Sequence, residues 1–488
     1  MKILNAVWNG IKTIYKDKGS RVWGIVTPIV VALFTTATIL ALTILNPILQ
    51  TVLGGRIPIK DPSIKQLYTS DYNSKRESKE AGDALNITIA SEGFTLLLNE
   101  GGLPIPTPVS SSSVTQKPKV SVFGKNSVNL VLGGSGSGGI SGEEAKTLFD
   151  GLELGGFEYN PKLKAFYEDN SLSGPGRPSN PETKDATSES PTLGTGETPQ
   201  SSYTADVKAS YNEYSDAALV VISRIGGESF DLPRSQEDDK DKHYLQLDEN
   251  EYALLDAVTD GTFDKVIVIL NTLQAFQCDF IEEYNNTETP RINAVLWIGG
   301  PGSTGAAAIG DVLSGKVNPS GKTVDIYPRD FTKDPTWQNF GDYSQVTGVP
   351  NSATYLENNS PVASRHMVLY EEGIYLGYRY YETRGMVEGG TWYKDNVIFP
   401  FGYGLSYTTF TQEIVKVDGG LVDNNSTVTI DVKVKNTGAV AGKDVVQLYV
   451  SLPYYNGGIE KSFVQLVDFA KTPLLEPGEE ATVSFTVK

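Results

Sequence analysis

The stretch AALVVISRIGGESFDLP, from Ala217 to Pro233, constrains the possible folds more than any other part of the chain. Its short apolar run is rich in β-branched residues, which predicts a buried strand over Ala218–Ser223. Gly226 and Gly227 then allow a sharp backbone turn directly before the carboxylate of Glu228. Open α/β sheets bind ligands at the carboxyl ends of their strands, so Glu228 is a candidate functional group. From position alone, an ordinary surface-loop glutamate is the more frequent interpretation.

The sequence around this strand alternates between strand and helix patterns. Such alternation predicts an α/β sandwich, a mixed sheet with helices on both faces. Strands are predicted over 119–124, 128–132, 218–223 and 265–270, and helices over 90–106, 143–154, 247–258 and 274–284. From Phe399 onward the pattern changes to apolar residues at every second position, as in Val428, Ile430 and Val432. Period-two alternation predicts a second, all-β sandwich domain.

Composition shifts along the chain predict the domain boundaries. The predicted segments are a cytoplasmic tail and transmembrane anchor (1–54), a polar spacer (55–83), the α/β sandwich (84–330), a connector (331–398) and the all-β domain (399–488). Residues 174–203 are rich in Pro, Ser, Thr and Gly, and predict a flexible, solvated insertion within the α/β domain.

An uncharged apolar run near the N-terminus predicts a membrane anchor. It extends from Gly24 to Leu45, long enough to cross a bilayer as one helix. Basic residues precede it and predict a cytoplasmic N-terminus: Lys12, Lys16, Lys18 and Arg21. No small-residue cleavage site follows the run. We therefore expect a single-pass protein of the cell membrane, with its main domains outside the cytoplasm.

Charge and composition exclude several classes of partner. The formal net charge of −18 argues against nucleic acid as a partner. Cys278 is the only cysteine, so no intrachain disulfide can form. The two histidines, His243 and His366, do not have a metal-ligand spacing. We expect neither a metal nor a cofactor.

Two glycine-rich loops match the dinucleotide-binding pattern G-x-G-x-x-G. They span Gly134–Gly139 and Gly300–Gly305, and each lies between a predicted strand and a predicted helix. Neither has the usual acidic residue at the correct distance, and neither is followed by Lys-Ser/Thr as in a P-loop. Two matches in one chain show how unspecific the pattern is, so a nucleotide-dependent enzyme is the weakest functional interpretation.

The residues Ser223, Arg224, Gly227, Glu228 and Asp231 form the pattern S-R-x-x-G-E-x-x-D. With this motif, the stretch resembles the acid/base segment of glycoside hydrolase family 3, which includes β-glucosidases and β-xylosidases. The resemblance implies that Glu228 is the general acid/base, and that Arg224 and Asp231 contact the substrate. General acid catalysis needs a carboxyl group that is partly protonated near neutral pH. Burial beside a bound sugar would raise the pKa of Glu228 in that direction.

The resemblance continues on both sides of this motif, and it also implies a missing part. Two further segments are similar to family sequences, namely FEYNPKL (157–163) and YEEGIYLGYRYYET (370–383). Residues 399–488 resemble a fibronectin type III-like domain. Family members carry their nucleophile, an aspartate, on a separate (β/α)8 barrel, and no such pattern exists in this chain. The order of domains resembles that of permuted members, in which the barrel comes last. We therefore expect the barrel downstream or in trans, and a chain that ends within its all-β domain.

These features predict a retaining glycosidase that hydrolyses O-glycosyl bonds of β-linked glycosides, with this chain supplying the acid/base domain. An oligosaccharide or β-glycoside is the expected substrate. The alternative is a non-catalytic, membrane-anchored protein that binds carbohydrate or associates with the cell wall. The two hypotheses differ in whether Glu228 is required.

Overall fold

The computed structural model describes residues 18–42, 70–108, 116–134, 136–142, 144–178, 194–228, 232–233, 235–236, 239, 241–286, 288–339, 355–357, 360–362, 370–420 and 426–488, together with 5 and 9. The chain separates into two units, Met1–Ser74 and Lys75–Lys488.

The first unit contains helix α1, Lys18–Leu40, which includes Pro28. Among the residues that the structure describes, no helix is long and apolar enough to cross a membrane. The predicted transmembrane helix is therefore not supported. A spanning helix needs about 20 consecutive apolar residues. Within α1 the predicted run is interrupted by Pro28 and by four threonines.

The second unit begins with helix α2, Lys75–Gly93, and a six-stranded sheet. The strands are β1 Thr95–Asn99, β2 Lys119–Phe123, β3 Glu158–Tyr159, β4 Ala217–Arg224, β5 Val266–Thr272 and β6 Ala294–Trp297. Their order is β1-β6-β5-β4-β2-β3, with β1 antiparallel and all other neighbours parallel. The predicted mixed sheet is confirmed.

Helices cover both faces of this sheet. They are α3 Leu148–Gly155, α4 Pro161–Glu168, α5 Asn170–Ser173, α6 Ala205–Ala209, α7 Glu249–Val258, α8 Phe280–Asn285 and α9 Ile309–Ser314. Strand β4 shows why both faces are apolar, because all eight of its residues are buried. Its residues Ala218, Val220 and Ile222 enter one hydrophobic core, and the alternate residues between them enter the core of the opposite face.

Two elements differ from the sequence prediction. Residues 90–106 were expected to be helical, but α2 ends at Gly93 and β1 follows it. Leu96 and Leu97 are fully buried in the cores on opposite faces, and pairing with β6 outweighs the local helical pattern. Residues 128–132 were expected to form a strand, but Val128 ends a short 3-10 helix that begins at Lys125, and residues 129–132 are irregular. The N–H and C=O of Val131 bond to the side chain of Asn271 instead of a neighbouring strand.

The second domain of this unit is an all-β sandwich, as the sequence predicts. Between the two domains lie the short pair β7 Tyr327–Pro328 and β10 Val397–Phe399, the pair β8 Tyr355–Glu357 and β9 Ser360–Val362, and the helices α10 Tyr378–Glu388 and α11 Trp392–Asn396. The sandwich strands are β11 Phe410–Gly419, β12 Val428–Asn436, β13 Val445–Val450, β14 Gln465–Lys471 and β15 Glu480–Val487. They form the sheets β11-β12-β15 and β13-β14, with Val434, Val446 and Phe485 in the core.

Polar contacts join the two domains. The carboxylate of Glu92, at the end of α2, pairs with Lys443 and Lys471 of the β-sandwich. Asn318 of the α/β domain accepts hydrogen bonds from Ser406 and Tyr407 and donates to the Ala441 carbonyl oxygen. These contacts hold the β-sandwich against the α/β domain.

Several described residues of the predicted insertion 174–203 are buried, unlike those of a solvated loop; residues 179–193 lie outside the described residues. Thr198 is fully buried, and the buried carboxylate of Glu197 accepts hydrogen bonds from the backbone N–H groups of Lys125 and Thr198. The part of the insertion around Glu197 and Thr198 is therefore packed into the domain. The hydrogen bonds give the buried carboxyl group its donors and the buried N–H groups their acceptor.

We expect Glu197 to make stability fall as pH rises. Burial raises the pKa of its carboxyl group to about 8, with Glu251 and Asp248 adding to the effect. The folded state thus retains a proton that the unfolded chain releases, so this stability is present below the unfolded pKa and is lost as pH rises through about 8. Because one pKa unit corresponds to about 1.4 kcal/mol, we expect Glu197 to contribute a loss of a few kcal/mol of stability between about pH 5 and about pH 8. Urea unfolding at a series of pH values would measure it.

The matched variant is Glu197→Gln, which keeps the size of the side chain and cannot ionise. Its unfolding free energy should change less with pH than that of wild type. Equal pH dependence in the two proteins would contradict the assignment of a protonated Glu197.

Candidate functional site

Glu228 lies just beyond the carboxyl end of β4, on the exposed edge of the sheet. Its Oε2 accepts a hydrogen bond from the backbone N–H of Ser137 at 2.8 Å, and a second from the Ser137 hydroxyl. The side-chain and backbone hydrogen bonds from Ser137 lower the pKa of Glu228 below its ordinary value. In this form of the protein the carboxylate is therefore ionised at neutral pH, whereas a general acid must carry a proton.

Asn271, at the carboxyl end of β5, organises the edge on which Glu228 lies. Its side chain is fully buried and bonds to three segments: the backbone of Val131, the Ser223 hydroxyl of β4 and the Gly299 carbonyl oxygen after β6. Sequence reasoning missed this residue. Its only sequence signal is an amide inside an otherwise apolar strand pattern, where a buried polar group requires partners.

Arg224 does not face the substrate edge. It is fully buried, and its Nη1 and Nη2 donate to the two carboxylate oxygens of Glu251, each at 2.7 Å. Its Nε donates to the Tyr244 carbonyl oxygen. Although burial opposes the charge, the Glu251 carboxylate raises the pKa of Arg224. This placement differs from the predicted substrate contact, because a guanidinium inside the protein must be paired and cannot reach a sugar.

Asp231, the other predicted substrate contact, lies outside the described residues. The structure brings Glu228 of the motif together with Ser137 of the first glycine-rich loop. Arg224 is buried in the domain and pairs with Glu251.

The two glycine-rich loops donate their backbone N–H groups to protein side chains. The N–H of Ser137 in the first loop bonds to Glu228, and the N–H of Thr304 in the second bonds to Oδ1 of Asn86 from α2. Asn86 lies so close that a Cβ on Gly302, whose φ is +75°, would be 2.8 Å from Oδ1. In a dinucleotide-binding loop such N–H groups bind phosphate. Here side chains take those positions, which argues against the nucleotide interpretation.

We expect Ser137→Ala to raise the pKa of Glu228 toward its ordinary value. The substitution removes the hydroxyl donor that stabilises the ionised carboxylate, and it keeps the backbone N–H. A 13C NMR titration of labelled glutamate side chains would measure the shift. Ser127→Ala is the matched control, because the buried Ser127 hydroxyl has no hydrogen-bond partner among the residues that the structure describes. A Glu228 titration that is the same in wild type and Ser137→Ala would contradict the pairing.

Comparison with known proteins defines the class to which this fold and site belong. The model of the glycosyl hydrolase family 3 C-terminal domain matches residues 94–378, more than half of the chain. The model of the fibronectin type III-like domain matches residues 444–488. The chain belongs to glycoside hydrolase family 3, and the resemblance in its sequence is confirmed.

The individual relatives are β-glucosidases. The chain is 32% identical over 405 residues to a β-glucosidase of Ruminococcus albus, covering 82% of this chain and 35% of the relative. Among solved structures, it is similar to a β-glucosidase from Paenibacillus barengoltzii, at 31% identity and a TM-score of 0.64, covering 84% of this chain and 38% of the other. It is also similar to β-glucosidase 3B from Thermotoga neapolitana in complex with glucose, at 28% identity and a TM-score of 0.62. That match covers 84% of this chain and 49% of the other. The chain thus spans between a third and a half of these relatives.

Proposed function

We propose that this chain supplies the acid/base half of a retaining β-glycosidase, with Glu228 as the general acid/base. The observation that carries the proposal is the position of Glu228 in a family 3 domain, at the carboxyl edge of the sheet, where α/β domains bind ligands. The β-glucosidases among its relatives support a β-glycoside as the substrate.

The second carboxylate has to come from another domain. Retaining hydrolysis needs two carboxyl groups about 5–5.5 Å apart, one acting as nucleophile. A (β/α)8 barrel, downstream or in trans, would supply the nucleophile and cover the exposed Glu228. Removing the carboxylate from water would favour its protonated form and offset the effect of Ser137 on its pKa. Catalysis and docking of the barrel would therefore be coupled through the pKa of Glu228.

The test compares this chain, alone and mixed with a family 3 barrel, on an aryl β-glucoside. We expect hydrolysis only when the barrel is present, and proton NMR should show a β-configured sugar as the first product. A first product of α-configuration would contradict the retaining mechanism. Hydrolysis by this chain alone would contradict the division of the two carboxylates between domains.

The second candidate is a non-catalytic carbohydrate-binding or wall-associated protein. It is favoured by the exposed, ionised state of Glu228 in this structure. Absence of hydrolysis with any barrel, together with retained sugar binding, would support it. Localisation at the cell membrane, outside the cytoplasm, stays a prediction that fractionation and protease protection of intact cells would test.

A further inference from the structure

A cleft with a volume of about 490 Å³ lies where the β-sandwich meets the α/β domain and helix α10. Its volume falls within the range of small-molecule sites, about 300–1,000 Å³. None of its lining residues belongs to β4 or to the loops around Glu228. The lining residues are Lys322, Tyr378, Glu382, Phe401, Gln412, Asp444, Val445, Gln447, Tyr449 and Val464.

The amide side chain of Gln447 is held firmly in this cleft. Its Nε2 donates to the Gly402 carbonyl oxygen at 2.9 Å, and its Oε1 accepts from the Tyr449 hydroxyl at 2.8 Å. Gly402 has a φ of +75°, and a Cβ there would lie 1.9 Å from Oε1 of Gln447. These bonds use one of the two Nε2 protons, so the amide can donate another hydrogen bond without a rotamer change.

Charged groups of both signs flank this amide. Lys322 donates to the Gly404 carbonyl oxygen at 2.8 Å, and its Nζ lies 3.7 Å from Oδ1 of Asp444. The other carboxylate of the cleft, Glu382, lies on α10. Two carboxylates and one ammonium group leave the cleft with a slight negative charge, which disfavours phosphates and other anions.

Aromatic rings form the apolar part of the cleft. The rings of Tyr378 and Phe401 lie 4.6 Å apart, and Tyr449 meets Tyr378 edge to face at 6.1 Å. Val464 adds an aliphatic surface. An occupant therefore meets planar apolar surface beside carboxylate, amide and ammonium groups.

We propose that this cleft is a second carbohydrate site, which binds a neutral β-linked oligosaccharide of about two sugar units. A sugar ring presents C–H faces to aromatic rings and pairs of hydroxyl groups to carboxylates and amides, as this lining requires. The choice of sugar over other neutral polyols rests on the proposed function. The cleft would hold a substrate chain on the enzyme, away from Glu228.

Isothermal titration calorimetry with cellobiose tests the proposal on the full chain carrying Glu228→Gln, a background in which acid/base chemistry is disabled. We expect saturable binding with a Kd on the order of 1 mM. Glu382→Gln and Tyr449→Phe should each weaken binding about tenfold, because each removes a group that bonds to sugar hydroxyls. Tyr449→Phe removes one atom only, so it carries the test if Glu382→Gln fails to fold by circular dichroism. Glu388→Gln, on the same helix but outside the cleft, should bind as the parent does.

Absence of saturable binding would overturn the proposal, as would unchanged affinity in both cleft variants. Binding to wild type that Glu228→Gln alone abolishes would place the sugar at the catalytic edge, and would equally overturn it. The outcome is separable from that of the proposed function. Failure of hydrolysis with a barrel present, while cellobiose still binds and the cleft variants weaken it, would remove the catalytic proposal and leave the second site.

Discussion

Glu228→Gln, in the presence of the nucleophile-bearing barrel, is expected to lower kcat by about 10²–10⁴-fold, the usual contribution of general acid–base catalysis. The amide keeps the size and hydrogen-bonding ability of the side chain, but it cannot transfer a proton to the departing sugar oxygen. KM should change little. The loss in kcat/KM should be smaller for a dinitrophenyl glycoside, because that leaving group departs without protonation in the first step, which kcat/KM reports. Steady-state kinetics on cellobiose and on the activated substrate would measure both effects.

Glu100→Gln is the matched control for this experiment. Glu100 follows β1 and is exposed, and its N–H donates to the Asn293 carbonyl oxygen at the amino-terminal edge of the parallel strands. Removing its charge should leave kcat unchanged. Equal activity of Glu228→Gln and wild type on cellobiose would remove Glu228 as the acid/base.

Arg224→Met is expected to cost about 3–5 kcal/mol of stability, which a single domain with typical stability barely tolerates. The substitution leaves the carboxylate of Glu251 buried, with 2% of its side chain exposed and without its bidentate partner. It also leaves the carbonyl oxygens of Ser223 and Tyr244 without the donors that Arg224 provides. Denaturant unfolding of the variant and wild type would measure the loss.

A second substitution separates the charge effect from lost packing. Glu251→Gln removes the uncompensated charge and keeps an oxygen that can accept the Asp248 N–H in the cap of α7. The double variant Arg224→Met/Glu251→Gln should recover at least about 1 kcal/mol relative to Arg224→Met. If the double variant is no more stable than the single one, the burial of an unpaired carboxylate is not what destabilises Arg224→Met.

The local sequence pattern predicted the secondary structure of those segments in which apolar residues recur at regular intervals. The fully apolar run of β4 predicted a strand buried on both faces, and its ends differ by one residue from the observed Ala217–Arg224. A helix was predicted over 247–258, and α7 spans Glu249–Val258, with Asp248 accepting a hydrogen bond from the backbone N–H of Glu251 at its cap. Alternation at Ile430 and Val432 predicted a strand of the all-β domain, and the structure places Val432 in the core with Ile430 packed against it. In each case the residues that set the structure are neighbours in sequence.

The differences arise where distant residues compete with local pattern. Strand β1 has a sequence that also suits an amphipathic helix, and pairing with β6, about 200 residues later, decides its conformation. The backbone of Val131 is hydrogen-bonded by Asn271, which lies 140 residues later in the sequence. Arg224 belongs to the motif that resembles the family's acid/base segment, yet its guanidinium pairs with the buried carboxylate of Glu251.

By itself, the sequence determined the family, the two-domain architecture and the position of Glu228, because short-range periodicity and a long local motif carry that information. Only the tertiary structure decided the environment of these residues. It placed Ser137 against Glu228 and so lowered the pKa of the proposed acid, and it buried Arg224 in an ion pair. It also formed a polar, aromatic cleft between segments that are distant in sequence. The pKa of a group and the lining of a cavity depend on which side chains lie close together in space. Local sequence does not specify the distances between residues that are far apart along the chain.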